Sequence, residues 1–256
     1  MLTTKKLTIA RGGRVLCRDL DLAISAGQSW LILGENGCGK STLLATLAAW
    51  LAPESGTLHL QGKPLADWPA NQRARRLAWL PQGDENPFPL SVLEKTLTGR
   101  HPYLGRWEWE SAADLALAQA QLARLDLAGL AQRDLATLSG GERRRVALAT
   151  VLTQQADLLL LDEPLSQLDL RHQQQALTVL REEKAAGRTL LVVGHDPNHA
   201  AQFASHVLLM FGDGRWLAGP VDAMLTSENL SALYHYPVRA LSAGGSTVFV
   251  PEAACS

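Results

Sequence analysis

The chain has 256 residues, 24 lysines and arginines against 25 aspartates and glutamates, and 46% apolar residues. That length suits one large α/β domain or a domain with a subdomain, and a net charge of −1 excludes a nucleic-acid binder held by a basic surface. Three cysteines, odd in number and without metal-ligand spacing, read as reduced thiols, and no run of about 18 apolar residues exists to span a bilayer.

In chain order, strands are expected at residues 7–10, 20–24, 29–33, 56–60 and 77–80. From about residue 83 to 155 the spacing turns helical, with helices at 92–98, 111–125 and 140–154. Strand 158–161, helix 171–186, strand 189–194, helix 197–204 and strand 207–211 follow. Strands alternating with helices imply a mainly parallel, helix-covered sheet, with the helical middle an insertion packed beside it. Asp213-Gly214 reads as a hairpin turn into residues 215–218, and Ala243-Gly244-Gly245 as a turn between 238–241 and 247–250. The Arg143–Arg145 run and the cluster Arg73, Arg75, Arg76 read as solvated helix faces.

Gly34-Glu35-Asn36-Gly37-Cys38-Gly39-Lys40-Ser41 matches G-x-x-x-x-G-K-[ST], follows a strand and opens a helix. The glycines let backbone N–H groups wrap phosphates. Lys40 reaches the β- and γ-phosphates, the Ser41 hydroxyl can ligate Mg²⁺, and Thr42 adds a contact near the α-phosphate. Cys38 reads as a small, variable loop residue. A second anion site is expected about a hundred residues on, at Leu138-Ser139-Gly140-Gly141-Glu142. There Ser139 and Glu142 form a capping box, and the helix start gathers unpaired N–H groups that the two glycines leave open.

Residues 158–161 followed by Asp162-Glu163 read as a buried strand ending in two carboxylates at the nucleotide crevice. Asp162 would hold Mg²⁺, partly through water, and Glu163 would polarise the attacking water. The plain alternative is a solvated acidic turn. His195 ends the next strand, where a lone histidine is usually structural but here can donate to the γ-phosphate or the water. Gln82 ends strand 77–80 where the helical insertion begins, and can bind Mg²⁺ or the water and serve as a hinge.

These elements in this order resemble the nucleotide-binding subunit of ATP-binding-cassette (ABC) transporters, over residues 2 to 250. The motif set comprises the P-loop, Gln82 of the Q-loop, the signature 138–142, Walker B at 158–163, the D-loop Ser166-Gln167-Leu168-Asp169 and the switch His195. The resemblance implies a P-loop NTPase (RecA-like) core with an N-terminal antiparallel β piece and an inserted helical subdomain at about 83–155. One ABC ATPase domain then fills residues 1–250, with a short tail at 251–256. It also implies ATP and Mg²⁺ as cofactors and a homodimer sharing two ATP sites. In each, Ser139, Gly140, Gly141, Glu142 and Asp169 would serve the nucleotide on the partner's P-loop. The family usually stacks an aromatic on adenine, and this chain has Ala10-Arg11-Gly12-Gly13 there, so Arg11 is the candidate base contact. Gln167 stands where alanine is common, with no obvious chemical consequence.

Cassettes without fused membrane helices work with separate permeases, and Thr98-Gly99-Arg100-His101-Pro102-Tyr103-Leu104-Gly105 resembles a segment of importer ATPases for ferric siderophores, haem and cobalamin. The ending after Tyr234-His235-Tyr236-Pro237-Val238 does so too. The expectation is an ATPase energising uptake of such a solute. It would sit on the cytoplasmic face of the cell membrane, with residues 82–90 docking the permease and an extracytoplasmic solute-binding protein engaged indirectly. The N-terminus lacks the apolar core of a secretory signal. Trp107 and Trp109 are expected to pack in the helical subdomain. The alternatives are the ATPase of another ABC transporter, of different solute or direction, a soluble non-transport ABC ATPase, and a nucleotide-gated subunit that barely hydrolyses. No heptads exist for a DNA-repair coiled coil, and no nucleic acid is expected as a partner.

Overall fold

The structure is a computed structural model that describes residues 1–83, 89–243 and 246–252. The middle of segment 82–90, both glycines of the turn 243–245 and the last four residues, Cys255 among them, lie outside the described residues.

β1 (Leu2–Arg11) and β2 (Arg14–Ile24) pair as an antiparallel hairpin. Gly12 and Gly13 turn it with φ of 58° and 77°, both in the left-handed region that a tight two-residue turn demands. β3 (Ser29–Leu33) leads into α1 (Lys40–Leu47), and β4 (Ser55–Leu60) with β5 (Lys63–Pro64) completes a four-stranded sheet of order β2-β1-β4-β5. After α2 (Ala70–Ala74) and β6 (Leu77–Leu80), three helices intervene: α3 (Val92–Leu97), α4 (Ala112–Arg124) and α5 (Gly140–Thr153). Then come β7 (Leu158–Asp162), α6 (Leu170–Ala185), β8 (Thr189–Val193), α7 (Ala200–Phe203), β9 (His206–Met210) and β10 (Trp216–Pro220). α8 (Val221–Met224), α9 (Ser227–Tyr234) and the hairpin β11 (Val238–Ala243), β12 (Ser246–Pro251) close the described chain.

The second sheet has the order β10-β9-β3-β8-β7-β6, parallel except for β10. The chain leaves β3 for the far edge at β6, returns through β7 and β8, then crosses β3 to β9. That reversal opens a crevice at the carboxyl end of β3, where an α/β sheet binds its ligand.

The central strands read as unbroken apolar runs because both faces are buried. Leu31, Leu33, Ala78, Leu80, Leu159, Leu161, Leu190, Val192, Val207 and Leu209 pack on one side with α4, α5 and α6. Their alternates Trp30, Ile32, Leu77, Leu158, Leu160, Leu191, Val193, Leu208 and Met210 pack on the other, against α1 and the antiparallel sheet. The period of two divides one sheet between two cores.

Each helix of the insertion starts at a full capping box, Ser91 with Glu94, Ser111 with Asp114 and Ser139 with Glu142, which fixes its first residue. The insertion shares the first core, since Val146, Leu148 and Leu152 of α5 pack with the sheet. Ion pairs add to it: Arg124 bonds Glu182 at 2.7 Å and the buried Glu183 at 2.6 Å, and Arg188 holds Glu183 from the other side at 2.6 Å.

Three expectations are corrected. Trp107 and Trp109 do not pack in the insertion: they stand 86% and 87% exposed, in a turn whose backbone is closed by Glu108 accepting from Gly105 N–H. Arg144 and Arg145 are not on a solvated face; both are 6% exposed, while Arg143 is exposed. Segment 197–204 is a 3-10 turn, Pro197–His199, followed by the one-turn α7. Among the described residues no helix is long and apolar enough to cross a membrane.

Candidate functional site

The loop after β3 is shaped by its glycines. Gly37 and Gly39 take φ of 77° and 108°, and a side chain on Gly34 would meet the Met210 carbonyl at 2.5 Å and Cys38 Sγ at 2.6 Å. Gly39 caps α1, so the loop delivers its backbone N–H groups to a helix start. Lys40, 5% exposed, arches back, and its Nζ donates to the carbonyls of Gly34 at 2.7 Å and Glu35 at 3.0 Å. The ammonium thus sits inside the loop. Asn36 is exposed on it, and Ser41 and Thr42 lie half-buried in the first turn of α1. Cys38, in the same loop, is buried, and burial pushes its thiol up, away from the reactive thiolate.

Asp162, the last residue of β7, is 1% exposed, and its Oδ1 has no hydrogen-bond partner. Burial raises its carboxyl above the ordinary carboxylate range, the Ser41 hydroxyl pulls it back, and Glu163 pushes it further up. An orphaned carboxylate oxygen beside a hydroxyl fits a hard divalent cation that keeps waters and phosphate as its other ligands. No cluster of three or more acidic, histidine or cysteine side chains suited to a metal occurs among the described residues.

Glu163 follows in the left-handed region, φ 51°, a conformation costing a non-glycine residue about 1 kcal/mol or more. Its N–H donates to Val193 O at 3.1 Å, and its carbonyl accepts from Ser166 N–H at 3.1 Å and Ser166 Oγ at 2.9 Å. The carboxylate is met by two neighbours: His195 Nε2 lies 2.8 Å and Gln82 Nε2 3.2 Å from the same Oε1. The ends of β6, β7 and β8 therefore bring the three predicted polar residues together. A cavity of about 310 Å³, lined by Glu163, Ser166, Gly194 and His195 with Leu31 and Phe203 behind, opens beside them. A larger open cleft of about 900 Å³ on β1, β2 and β4 lies away from these residues.

Behind this cluster stands Arg144, from the second turn of α5. Its Nε donates to Glu163 O at 3.1 Å and its Nη1 to Pro81 O at 2.7 Å and Gln82 O at 3.3 Å; its Nη2 donates to Asp162 O. Arg145 Nη1 donates to the carbonyls of Leu125, at 2.7 Å, and Asp126, at 3.2 Å, just past α4.

The start of α5 is a second donor-rich end. Ser139 Oγ accepts from Glu142 N–H at 3.2 Å, and the Glu142 carboxylate, held below its ordinary range by that box, accepts from Ser139 N–H at 2.7 Å. The glycines there answer to their own chain. A Cβ on Gly140 would lie 2.5 Å from Gln167 Oε1, and one on Gly141 2.7 Å from Gln167 O. Gln167, at φ 62°, is thus packed on the signature, a consequence its sequence position did not disclose. Asp169 caps α6, accepting from His172 N–H at 2.9 Å. Among the described residues no hydrogen bond ties Ser139, Gly140 or Gly141 to the loop 34–41.

The carboxyl-terminal segment also reaches the site, which sequence reading missed. Tyr234 Oη donates to His195 O at 3.2 Å, and Asn198 clasps Phe249 through its N–H at 2.8 Å and its O at 3.1 Å. His235 Nε2 lies 3.9 Å from Glu35 Oε2. The signal lay in Tyr234-His235-Tyr236, a polar-tipped aromatic pair at a helix end. Arg11 is exposed at the end of β1, beside the hairpin turn.

The sequence profile described as ABC transporter matches residues 17–166. A hemin import ATP-binding protein of Streptomyces coelicolor is 42% identical over 232 residues, 91% of this chain and 82% of that protein. An iron(3+)-hydroxamate import ATP-binding protein of Bacillus subtilis is 39% identical over 210 residues, 82% and 78% of the two chains. Among solved structures, one described as a metal-chelate type ABC transporter in an inward-facing conformation superposes with a TM-score of 0.84 at 30% identity, covering 99% of this chain and 98% of that one.

Proposed function

We propose that this chain, which belongs to the ABC transporter family and hydrolyses ATP as its members do, energises uptake of an iron chelate or haem through a separate membrane permease. The observation that carries the catalytic part is the convergence of Gln82 and His195 on one oxygen of Glu163, beside the Lys40 loop and the buried Asp162. The hemin and iron-hydroxamate relatives, and the metal-chelate transporter, support the solute class. None of these three carries cobalamin in its name, and the proposal is confined to iron chelates and haem.

In this reading Gly34, Asn36, Gly37, Cys38 and Gly39 wrap the phosphates with backbone N–H groups, Lys40 binds the β- and γ-phosphates, and Thr42 reaches the α-phosphate. Ser41, Asp162 and Gln82 hold Mg²⁺, which when bound neutralises charge building on the β- and γ-phosphate oxygens. Glu163 Oε1 takes a proton from a water whose oxygen attacks the γ-phosphorus, while the bond to the β-phosphate oxygen breaks and ADP leaves. His195, 2.8 Å away, orients that carboxylate and donates toward the γ-phosphate. Arg11 stacks on the base. Two chains pair head to tail, so that Ser139, Gly140, Gly141, Glu142 and Asp169 of one close over the nucleotide of the other. The permease meets the surface near Gln82 on the cytoplasmic side, and the solute-binding protein acts through it.

Replacing Glu163 by Gln tests the assignment, because the amide cannot accept the water's proton. Turnover should fall about 10²- to 10⁴-fold with ATP affinity retained. Equal turnover of variant and wild type rules out Glu163 as the base.

A further inference from the structure

We propose that Arg144 is a positioning residue for hydrolysis: it sets Gln82 and Glu163 at their common distance from the reacting water and fastens both to the helix that bears the signature. The inference rests on the catalytic reading of Glu163 above. Its observation is separate, namely where one buried guanidinium spends its protons.

Arg144 bonds four consecutive-pair carbonyls on two strands, Pro81 and Gln82 after β6, and Asp162 and Glu163 at the end of β7. Pro81 and Gln82 lie past the end of β6 at Leu80, Asp162 is the last residue of β7, in register with Val193, and Glu163, at φ 51°, turns out of the sheet with a carbonyl that Arg144 shares with Ser166. The Asp162 carbonyl is buried and the other three partly so, and a carbonyl withdrawn from water without a donor is costly, so these strand ends are more stable where a donor reaches them. A planar fork with five donors in fixed directions can serve all four carbonyls at once, whereas an ammonium has three donors and no fixed plane. The functional side chains leave the same residues whose carbonyls are held. Gln82 Nε2 and Glu163 Oε1 meet at 3.2 Å.

The second link is mechanical. Arg144 lies five residues after Ser139 on one helix, inside a core shared with the sheet. Whatever moves the start of α5 moves the guanidinium, and with it the two strand ends. Nucleotide contact at a signature can therefore be felt at the catalytic carboxylate of the same chain through one side chain. A displacement of about 1 Å at a reacting group costs up to about 100-fold in rate.

The test is a double-mutant cycle on the full chain, by single-turnover hydrolysis of labelled ATP with ATP affinity and melting measured alongside. Arg144→Lys keeps the charge and loses the fork; kcat should fall about tenfold or more, with ATP affinity within about threefold of wild type. In a Glu163→Gln background the same change should alter the residual rate less than about twofold, because it acts through a group already disabled. Equal fold losses in both backgrounds, or a loss matched by weaker ATP binding, overturns the proposal. Arg144→Gln is read the same way should the lysine variant unfold, and collapse of both marks a purely structural residue and overturns it too. A Glu163→Gln variant with wild-type turnover would instead sink the catalytic reading itself, so the two failures are told apart.

Discussion

Asp162→Asn should stabilise this protein in the absence of nucleotide while abolishing its response to Mg²⁺ and ATP. Asp162 is 1% exposed, with Oδ1 unpartnered and its carboxyl raised chiefly by burial. A carboxyl raised in the fold binds its proton more tightly there than in the unfolded chain. Its ionised form therefore costs stability, and the cost is absent below the ordinary carboxylate value of about 4. It grows as pH rises through that value toward the folded one and stays constant above. An unsatisfied buried acceptor costs about 1–3 kcal/mol. An amide removes the charge and can donate to Ser41 Oγ, so that much should be recovered at pH 7.5. For a chain of this length that is roughly 2–10 °C in melting temperature. The assay is thermal unfolding with chelator present, from pH 4 to 8. The gap between variant and wild type should close toward pH 4 and be open at pH 7.5. With Mg²⁺ and ATP at about 100 times their dissociation constant the wild type should gain about 2.7 kcal/mol and the variant nothing, which closes or reverses a gap of about 1–3 kcal/mol. A variant that melts below wild type without ligand at pH 7.5, or a gap that ignores pH, would refute the reasoning.

Other perturbations follow from the same geometry. Asp114 completes the capping box that Ser111 opens on α4 and accepts from Arg100 at 2.6 Å, and its bonds to Ser111 and Arg100 pull its carboxyl down to about 2. Its stabilisation is complete above the ordinary carboxylate value and lost as pH falls toward 2. Asp114→Asn should therefore cost about 1–2 kcal/mol in urea unfolding at pH 7, and a cost undiminished at pH 2.5 would contradict that. Tyr234→Phe removes one hydrogen bond to the His195 carbonyl. Turnover should drop up to about fivefold at unchanged ATP affinity, and a wild-type rate would show that His195 is held without it.

Local geometry was legible in the sequence wherever spacing alone defines it. The loop 34–41, the strand-end residues Gln82, Glu163 and His195, and the Ser139–Glu142 box each draw on a few consecutive residues. β3 and β6 begin and end where the apolar runs do. What escaped depends on the partner. Three arginines in a row look the same whether they meet water or carbonyls. Arg144 and Arg145 are buried because strand ends at 81–82 and 162–163 and the loop at 125–126 needed donors. Gly140 and Gly141 read as room for an anion, yet it is Gln167 of the same chain that stands where a side chain on either would lie. α9 was missed because Leu230 and Leu233 are its only buried side chains, too short a stripe to read as a helix. Trp107 and Trp109 were misplaced because large aromatics are usually buried, and their turn holds them outward.

The central claim is that one nucleotide is held by the P-loop of one chain and the signature of another, and a mixing experiment tests it directly. Lys40→Ala removes the phosphate-binding ammonium. Ser139→Asp keeps the N-cap of α5 but sets a negative charge where the phosphate would dock. Each variant alone should be inactive. Mixed in equal amounts, half the pairs contain one of each, and such a pair has one complete site of its two, so turnover should recover to about a quarter of wild type. A mixture that stays at the level of the separate variants would contradict the account.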